Sequence, residues 1–558
     1  MKKVFYFFIA LVIIFHNSLF AQNSRSNSYI KIDKLEAFWR FQPVIGRWLS
    51  RGQGMIVIPD YMEGTSFPYV KHLYDKEVPF ADSLNVVRLL GGWDYTKKRG
   101  ELSGQKNADL VYVDNGKLRY RWNLLKGRLD PYINAGYENL TLVLDNIPWD
   151  LPKKSKLKAY GQVNPPTNLK VWETFLEAMI QEMVRLYGYD TVKNFRFRLG
   201  TECQTKVRFN GTHKEYVNLY LSTQRAIEKI LPDAKIAPFN LAGRKTQLHK
   251  NNVDMKRFMS LIAIESNVSK LHVDFLPVST YYVVRKKHKK NIKQLLDART
   301  EANRRYFDIL FDTSQKIFTK EIHEFGVLNN SLEGVRSGEP GVRGAAWRMY
   351  MIQNMMENNI SKLYHWGTFD RVSKDKYLLK GNGWNYSILE YLAGGEVYSL
   401  PVVTKKSTHQ KTLVVIKNKK VYILTAIFPD EKDRKELQDT TVSIPLEILP
   451  SFQVSNIKWT YLTSKTSVLD VIHDDFISNN LLEYNFSKDL NIVASVKNMG
   501  GYAGKKYVLE HWSRYKNIIV DSLTLKPYAG QIKKKDKILE LNFTTEVPSV
   551  NLIVLDWE

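Results

Sequence analysis

The sequence predicts an α/β fold, a (β/α)₈ barrel of the TIM type followed by an all-β sandwich. Three observations lead there. Between residues 52 and 370, apolar strand-like runs alternate with stretches of helical periodicity. Beyond about Pro401 that alternation gives way to short strands separated by turn residues. With 558 residues the chain is also too long for one hydrophobic core, so two or more domains are expected.

Taken in order, Met1–Lys3 is basic, Val4–Phe15 is apolar, and Leu19-Phe20-Ala21 ends on a small residue. This is the layout of a cleaved secretory signal over 1–21, too short to span a bilayer comfortably and followed by polar residues. No cysteine follows the cleavage position, and Cys203 is the sole cysteine, so no internal disulfide framework is available. A secreted or periplasmic bacterial protein is expected, with no membrane span after signal cleavage. The barrel, with an N-terminal extension, is assigned to 22–400. Within it, Ser28–Gly52 is free to wrap either domain.

Eight strand-like runs follow: Met55–Pro59, Asn85–Leu90, Leu140–Asp145, Asn194–Gly200, Lys235–Phe239, Leu271–Leu276, Ile317–Glu324 and Lys362–Trp366. The clearest helix between them has Trp172, Phe175, Leu176, Met179, Ile180, Met183 and Val184 at the spacing of one buried face. A second runs from Tyr216 to Ile227, and a third covers Ala345–Met356. The sandwich is assigned to 401–558. It opens with a hairpin, Thr412–Ile416 and Lys420–Phe428, turning at Lys417-Asn418-Lys419. Strands are then expected at Thr441–Leu446, Ile457–Leu462, Ile492–Val496, Ile518–Val520, Ile538–Phe543 and Val550–Leu555.

The formal net charge is +25, from 82 Lys+Arg against 57 Asp+Glu. Such a balance steers polyanions toward a surface, unless the lysines serve only solubility. An exported chain without zinc-finger, RRM or helix-turn-helix patterns is a poor nucleic-acid binder, which leaves a sulfated or uronic polysaccharide as the better partner. There is no Cys/His metal cluster, no HExxH and no phosphate-cradling glycine loop, so neither cofactor nor metal is expected.

Two segments carry the chemistry. Arg196–Gln204 (RFRLGTECQ) and Ile317–Leu328 (IFTKEIHEFGVL) each read as a strand whose end presents a carboxylate, Glu202 and Glu324. In such a barrel catalytic groups sit where strands end. Two glutamates on separate strands that flank one bond are what retaining glycoside cleavage requires. Glu321 lies in the same run and competes with Glu324. The ordinary fate of any of these glutamates is a solvated loop position.

Tyr120-Arg121-Trp122 through Gly136, then Leu140–Trp149, Trp172–Gly188, Phe197–Cys203 and Glu215–Ala237, resemble glycoside hydrolase family 39. The resemblance covers about residues 50–400 and rests on segment order and spacing. That family includes β-xylosidases and α-L-iduronidase, retaining enzymes on (β/α)₈ barrels. The resemblance implies Glu202 as acid/base and Glu324 as nucleophile, with Glu321 the alternative. It also implies an aromatic or histidine near the nucleophile, for which His323, Tyr281 and Tyr282 are the candidates. The family's Asn-Glu-Pro motif is here Thr201-Glu202-Cys203. The missing Asn normally holds the sugar 2-hydroxyl, so Thr201 implies a different contact there.

Sugar rings stack on aromatics, and Trp93, Trp149, Tyr281, Tyr282 and Trp366 all follow strand runs, although each alone is more often a core residue. His365 is a polar contact or a satisfied core histidine. Arg88 and Arg198 suit bidentate sulfate or carboxylate binding, and Arg198 is placed to keep a nearby carboxylate ionised. The runs Arg285–Lys290 and Lys153, Lys154, Lys156 and Lys158 would lie on the site's rim or form a solvated face. The expectation is thus a secreted retaining glycoside hydrolase acting on an anionic polysaccharide or its oligosaccharides, a sulfated algal galactan of carrageenan or agar type first. The alternatives are a β-xylosidase or uronide hydrolase of the same family, a non-catalytic carbohydrate-binding barrel, and, more weakly, a uronic-acid lyase.

Overall fold

The computed structural model describes residues 29–32, 86–91, 109–134, 140–158, 161–242, 273–284, 290–314, 319–329, 341–360, 362–365, 369–373, 376–392, 394–431, 434–449, 454–483 and 496–557. Within them the chain builds a mixed α/β unit and, after it, antiparallel sheets. Seven of the expected parallel strands are present, and Met55–Pro59 lies outside the described residues.

One parallel sheet runs Val86–Arg88, Thr141–Leu144, Arg196–Leu199, Lys235–Ala237, in chain order. A second runs Leu241–Ala242, Phe275–Val284, Thr319–Asn329, Lys362–His365, again in chain order and parallel. Sequential parallel neighbours need a crossover between each pair, and the helices supply it. Leu169–Tyr187 starts where the Asn168 side chain accepts from the Lys170 and Val171 amides, and it buries Trp172, Phe175, Leu176, Met179, Ile180 and Met183. His213–Glu228 opens on a reciprocal capping box between Thr212 and Glu215. Ile292–Ser314 and Val342–Glu357 return the chain in the second half.

The strand expected at Leu271–Leu276 instead spans Phe275–Val284. Pro277 argues against a strand interior, yet it lies within this strand, opposite Glu321. Tyr281 and Tyr282 therefore lie within the strand rather than after it.

In the C-terminal part, the larger sheet holds Glu396–Ser399, Thr408–Lys417, Lys420–Pro429, Ser549–Trp557 and Val454–Leu462. Ile30–Ile32 pairs antiparallel with Glu396–Ser399 at its edge, so this piece of the N-terminal extension joins the C-terminal sheet. So does Glu396–Ser399 itself, although a division at 400 leaves it with the barrel. The expected hairpin forms with Lys417 opposite Lys420, and Asn418 and Lys419 take φ of 51° and 57°. Two left-handed residues in a two-residue loop match the twist of the flanking strands. Glu436–Pro445, Ile538–Val547 and Gln531–Lys535 form the second sheet.

The two sheets share a core of Val421, Ile423, Ile427, Val442, Ile444, Leu541 and Leu555. The opposite face of the larger sheet, with Tyr422, Leu424, Ala426 and Phe428, joins the main core together with Trp347, Met351 and Met355 of Val342–Glu357. Being covered on both sides explains why Lys420–Pro429 reads as a nearly continuous apolar run.

This region is not all-β. Val468–Ser478, Val496–Glu510 and Trp512–Ser522 are helices. Ile518–Val520, expected as a strand, lies in the last of them, where Tyr515 and Ile519 are buried four residues apart. The short β-branched run looks strand-like, but burial follows helical spacing. Of Ile492–Val496, the first four residues lie outside the described residues, and Val496 begins a helix.

Candidate active site

Strand alternation points Arg196 and Arg198 to one side, away from Phe197 and Leu199, which join the apolar core. On that side Arg196 Nη2 donates to Glu321 Oε1 at 2.6 Å, joining the first parallel sheet to the second. The Arg196 guanidinium also lies 3.8 Å from the centre of the Phe275 ring. One layer further along the strands, Arg198 Nη1 lies 3.0 Å from His323 Nδ1, and Arg198 Nη2 donates to Thr201 Oγ1 at 2.9 Å. His323 Nε2 in turn lies 2.8 Å from Glu321 Oε2. A guanidinium only donates, so His323 Nδ1 accepts and Nε2–H donates to the carboxylate. Arg198, Glu321 and His323 are fully buried.

This layer gives the two glutamates different surroundings. Glu321 is enclosed by Arg196, His323 and Thr319 Oγ1 at 3.0 Å. Burial works to raise its pKa, yet Arg196 and then His323 hold the carboxyl well below the ordinary range. It is a structural anion with no open side. Glu324 sits higher and accepts from the Tyr281 hydroxyl at 3.0 Å.

Simple alternation would place Glu324 beside Ile322, which is fully buried in the apolar core. A bulge prevents this. Val278 opposes Ile322 and Ser279 opposes Glu324, so His323 is the extra residue. The bulge re-aims the following side chain, and Glu324 joins Glu321 and His323 on the polar side while Phe325 returns to the core.

Glu202 follows the end of Arg196–Leu199. Gly200 has φ of 58°, and a Cβ there would meet the Tyr216 hydroxyl at 2.7 Å, so glycine is required. Glu202 itself has φ of 50°, and its amide donates to Asn240 O at 2.5 Å. Asn240 Nδ2 reaches Ser279 Oγ at 2.7 Å, and Ser279 is the residue opposite Glu324. The Glu202 side chain is 12 % exposed, with Arg208 Nε 3.9 Å from Oε2. The Tyr281 phenol brings the groups together. Burial first, then the charges of Glu324 and Glu202, push it well above its ordinary value, with Arg208 opposing. Both carboxylates and Arg208 therefore lie within electrostatic reach of one hydroxyl, which stays protonated and donating.

Several expectations need correction. His323 is a buried link between Arg198 and Glu321, not a sugar contact. Arg198 points inward to His323 and Thr201 rather than to a ligand. Thr201 is 3 % exposed and accepts from Arg198. Tyr282 faces the core, edge-on to Phe325 with its hydroxyl accepting from Asn303. Trp149 is half-buried, its amide donating to Asp109 Oδ2 at 2.6 Å. Lys153, Lys154, Lys156 and Lys158 are exposed, whereas Arg285–Lys289 lie outside the described residues. Trp93 and Trp366 also lie outside them; Arg88 and His365 are described in backbone only.

Arg208 was not singled out from sequence. Its only cue was a position six residues past Glu202 in a polar segment. Cys203 is buried, and desolvation pushes its thiol up to about 12, so it is no nucleophile. Among the described residues no His/Cys/Asp/Glu group is arranged to hold a metal, and no helix is long and apolar enough to cross a membrane.

The family model for glycosyl hydrolases family 39 matches residues 56–380, more than half of the chain. An alpha-1,4-L-rhamnosidase of Formosa agariphila is 23% identical over 316 residues, which are 53% of this chain. The match spans 60% of that relative's own length. Among solved structures, a monomeric beta-xylosidase from Caulobacter crescentus superposes with a TM-score of 0.62 at 14% identity, covering 94% of this chain and 97% of that one. A family 39 enzyme from Xanthomonas axonopodis pv. citri gives 0.59 at 13%, covering 94% and 95%. At such identities the superpositions speak to fold.

Proposed function

The chain belongs to glycoside hydrolase family 39 and is a retaining glycoside hydrolase, and from that premise we propose that Glu202 and Glu324 perform its chemistry on an anionic polysaccharide or oligosaccharide. The observation that carries the pairing is the chain of bonds from the Glu202 amide through Asn240 to Ser279, the residue opposite Glu324. Glu324 attacks carbon 1 as a carboxylate while the Glu202 carboxylic acid gives its proton to the glycosidic oxygen, and the aglycone departs. Glu202, now a carboxylate, takes a proton from water, which attacks carbon 1 and releases Glu324. Two displacements retain the anomeric configuration, and they need the carboxyl groups ~5–5.5 Å apart. Tyr281, held as a donor, orients the attacking carboxylate.

The eight-stranded closure belongs to this reading, with a β-sandwich accessory domain following the barrel. Residues 1–21 are removed on export in the same reading. Sulfated algal galactan is the leading substrate class. Its support is the +25 formal charge, the lysines after Thr141–Leu144 and, within the site, Arg208 beside Glu202. A guanidinium there suits a sulfate or carboxylate on the sugar at the leaving side. The rhamnosidase relative favours a second reading, cleavage of an α-L-rhamnosidic bond in an anionic polymer.

The test compares reducing-end release from carrageenan and from the same polymer after desulfation, with NMR following the anomer first formed. At least tenfold faster release from the sulfated form, with retained configuration, is expected. Equal rates remove the charge argument. Faster cleavage of 4-nitrophenyl α-L-rhamnopyranoside than of either polymer moves the substrate to the second reading.

A further inference from the structure

Each proposed catalytic glutamate is preceded by a residue bonded to the same buried guanidinium. Thr201, before Glu202, accepts from Arg198 Nη2, and His323, before Glu324, accepts from Arg198 Nη1. We propose that Arg198 is a positioning strut that sets the gap between the two carboxyl groups. The proposal rests on the catalytic reading above and adds a device that fixes its geometry.

The strut is over-determined. Arg198 is fully buried and its two terminal nitrogens diverge to two different elements, so a planar fork fixes both ends at once. His323 cannot turn away, because its far nitrogen donates to Glu321 Oε2, and Glu321 is anchored by Arg196 at 2.6 Å. The Tyr364 ring meets the imidazole edge-on at 4.9 Å between centres. His323 is also the bulged residue, so the strut grips the backbone where the strand is irregular and Glu324 is re-aimed. On the other strand Thr201 lies between two left-handed residues, Gly200 and Glu202, where the chain leaves the sheet. Both gripped positions are therefore ones that regular strand pairing does not fix. A link through the neighbouring strands, from the Glu202 amide to Asn240 O and from Asn240 Nδ2 to Ser279 Oγ, constrains the same gap from the side.

The requirement is chemical. One pair of groups must serve both displacements, and a shift of about 1 Å in a reacting group costs on the order of 10²-fold in rate. Neither Arg198 nor His323 touches the sugar in this account, and neither gains or loses a proton in a step.

The test uses R198M, R198K, H323L and H323Q in the full chain. It is assayed on 4-nitrophenyl β-D-xylopyranoside or α-L-rhamnopyranoside, whichever the wild type cleaves faster. In R198M and H323L, kcat is expected to fall ~10²-fold with KM within about threefold of wild type. H323Q restores both bonds, its amide oxygen accepting from Arg198 and its amide nitrogen donating to Glu321, and should keep kcat within about threefold and the pH–rate profile unchanged. R198K, with one point donor for two acceptors, should fall between, and it stands in for R198M should that variant not fold.

A lowered melting temperature with unchanged kcat in R198M and H323L makes Arg198 merely structural and overturns the proposal. Loss of the acid limb of the pH–rate profile in H323Q makes His323 a titrating participant and overturns it as well. E202Q and E324Q separate the two levels. Should they retain turnover, the carboxylate assignment falls and the strut with it. Should they be inactive while R198M and H323L match wild type, only the strut falls.

Discussion

His323 is neutral in the folded chain, and the reason is local. Burial holds its imidazole down at about 3 together with Arg198, against the opposing pull of Glu321. Unfolding restores an ordinary value near 6.5, so between those values the unfolded chain binds a proton that the folded one refuses. Stability therefore falls as pH drops from 6.5 toward 3. Glu321 acts in the same direction only below the ordinary carboxylate range, since Arg196 and His323 keep it ionised. Thermal melts should show a slope of up to about 1.4 kcal/mol per pH unit between pH 6.5 and 4.5, and H323Q should flatten it in that window. An unchanged slope in H323Q would place the acid sensitivity elsewhere. The order of residues around the two glutamates was legible from sequence, including Arg198 on the Glu202 strand. What Arg198 grips was not, because its partner lies on a strand 125 positions away.

At the scale of elements, the bulge at His323 brings Glu324 to the same side of the strand as Glu321. Period-2 alternation alone puts Glu321 and His323 on one face and Glu324 on the other, so no reading of a regular strand places all three together. In the sequence, Glu324 is preferred over Glu321 for the aromatic Phe325 directly after it, as in the family's pattern, and for its place closer to the strand end; the irregular register agrees with that preference.

Two helices of the parallel half borrow their N-terminal caps from the C-terminal part. The Val342 amide, opening Val342–Glu357, donates to Asp470 Oδ2 at 2.8 Å, and the Lys293 amide, opening Ile292–Ser314, donates to Asp430 Oδ1 at 3.1 Å. Gly341 is glycine because a Cβ there would approach Asp470 Oδ2 to 2.5 Å. Neither cap was visible in sequence, since local capping patterns look only a few residues away. D470A should cost about 1–2 kcal/mol in a urea melt, and D470N about half as much. No change in D470A would mean the helix start is satisfied by water.

For the whole molecule, the class of fold and the succession of parallel strands could be read from periodicity, because each strand and helix buries a face of its own. The C-terminal helices could not. Strands buried on both faces and short β-branched helical turns give the same apolar runs, and only the packing of Tyr515 and Ile519 separates them. The site draws on both parallel sheets, with Arg196, Arg198 and Glu202 from one and Glu321, His323 and Glu324 from the other. Function therefore depends on the two sheets holding register across the interior, and the account stands or falls on which carboxylate faces the sugar.

The most direct measurement is to trap the glycosyl–enzyme with a 2-deoxy-2-fluoro glycoside of a sugar the enzyme turns over, digest it, and map the label by tandem mass spectrometry. The account predicts one sugar per chain, esterified to Glu324. A label on Glu321, or on any residue outside Ile317–Leu328, would contradict it.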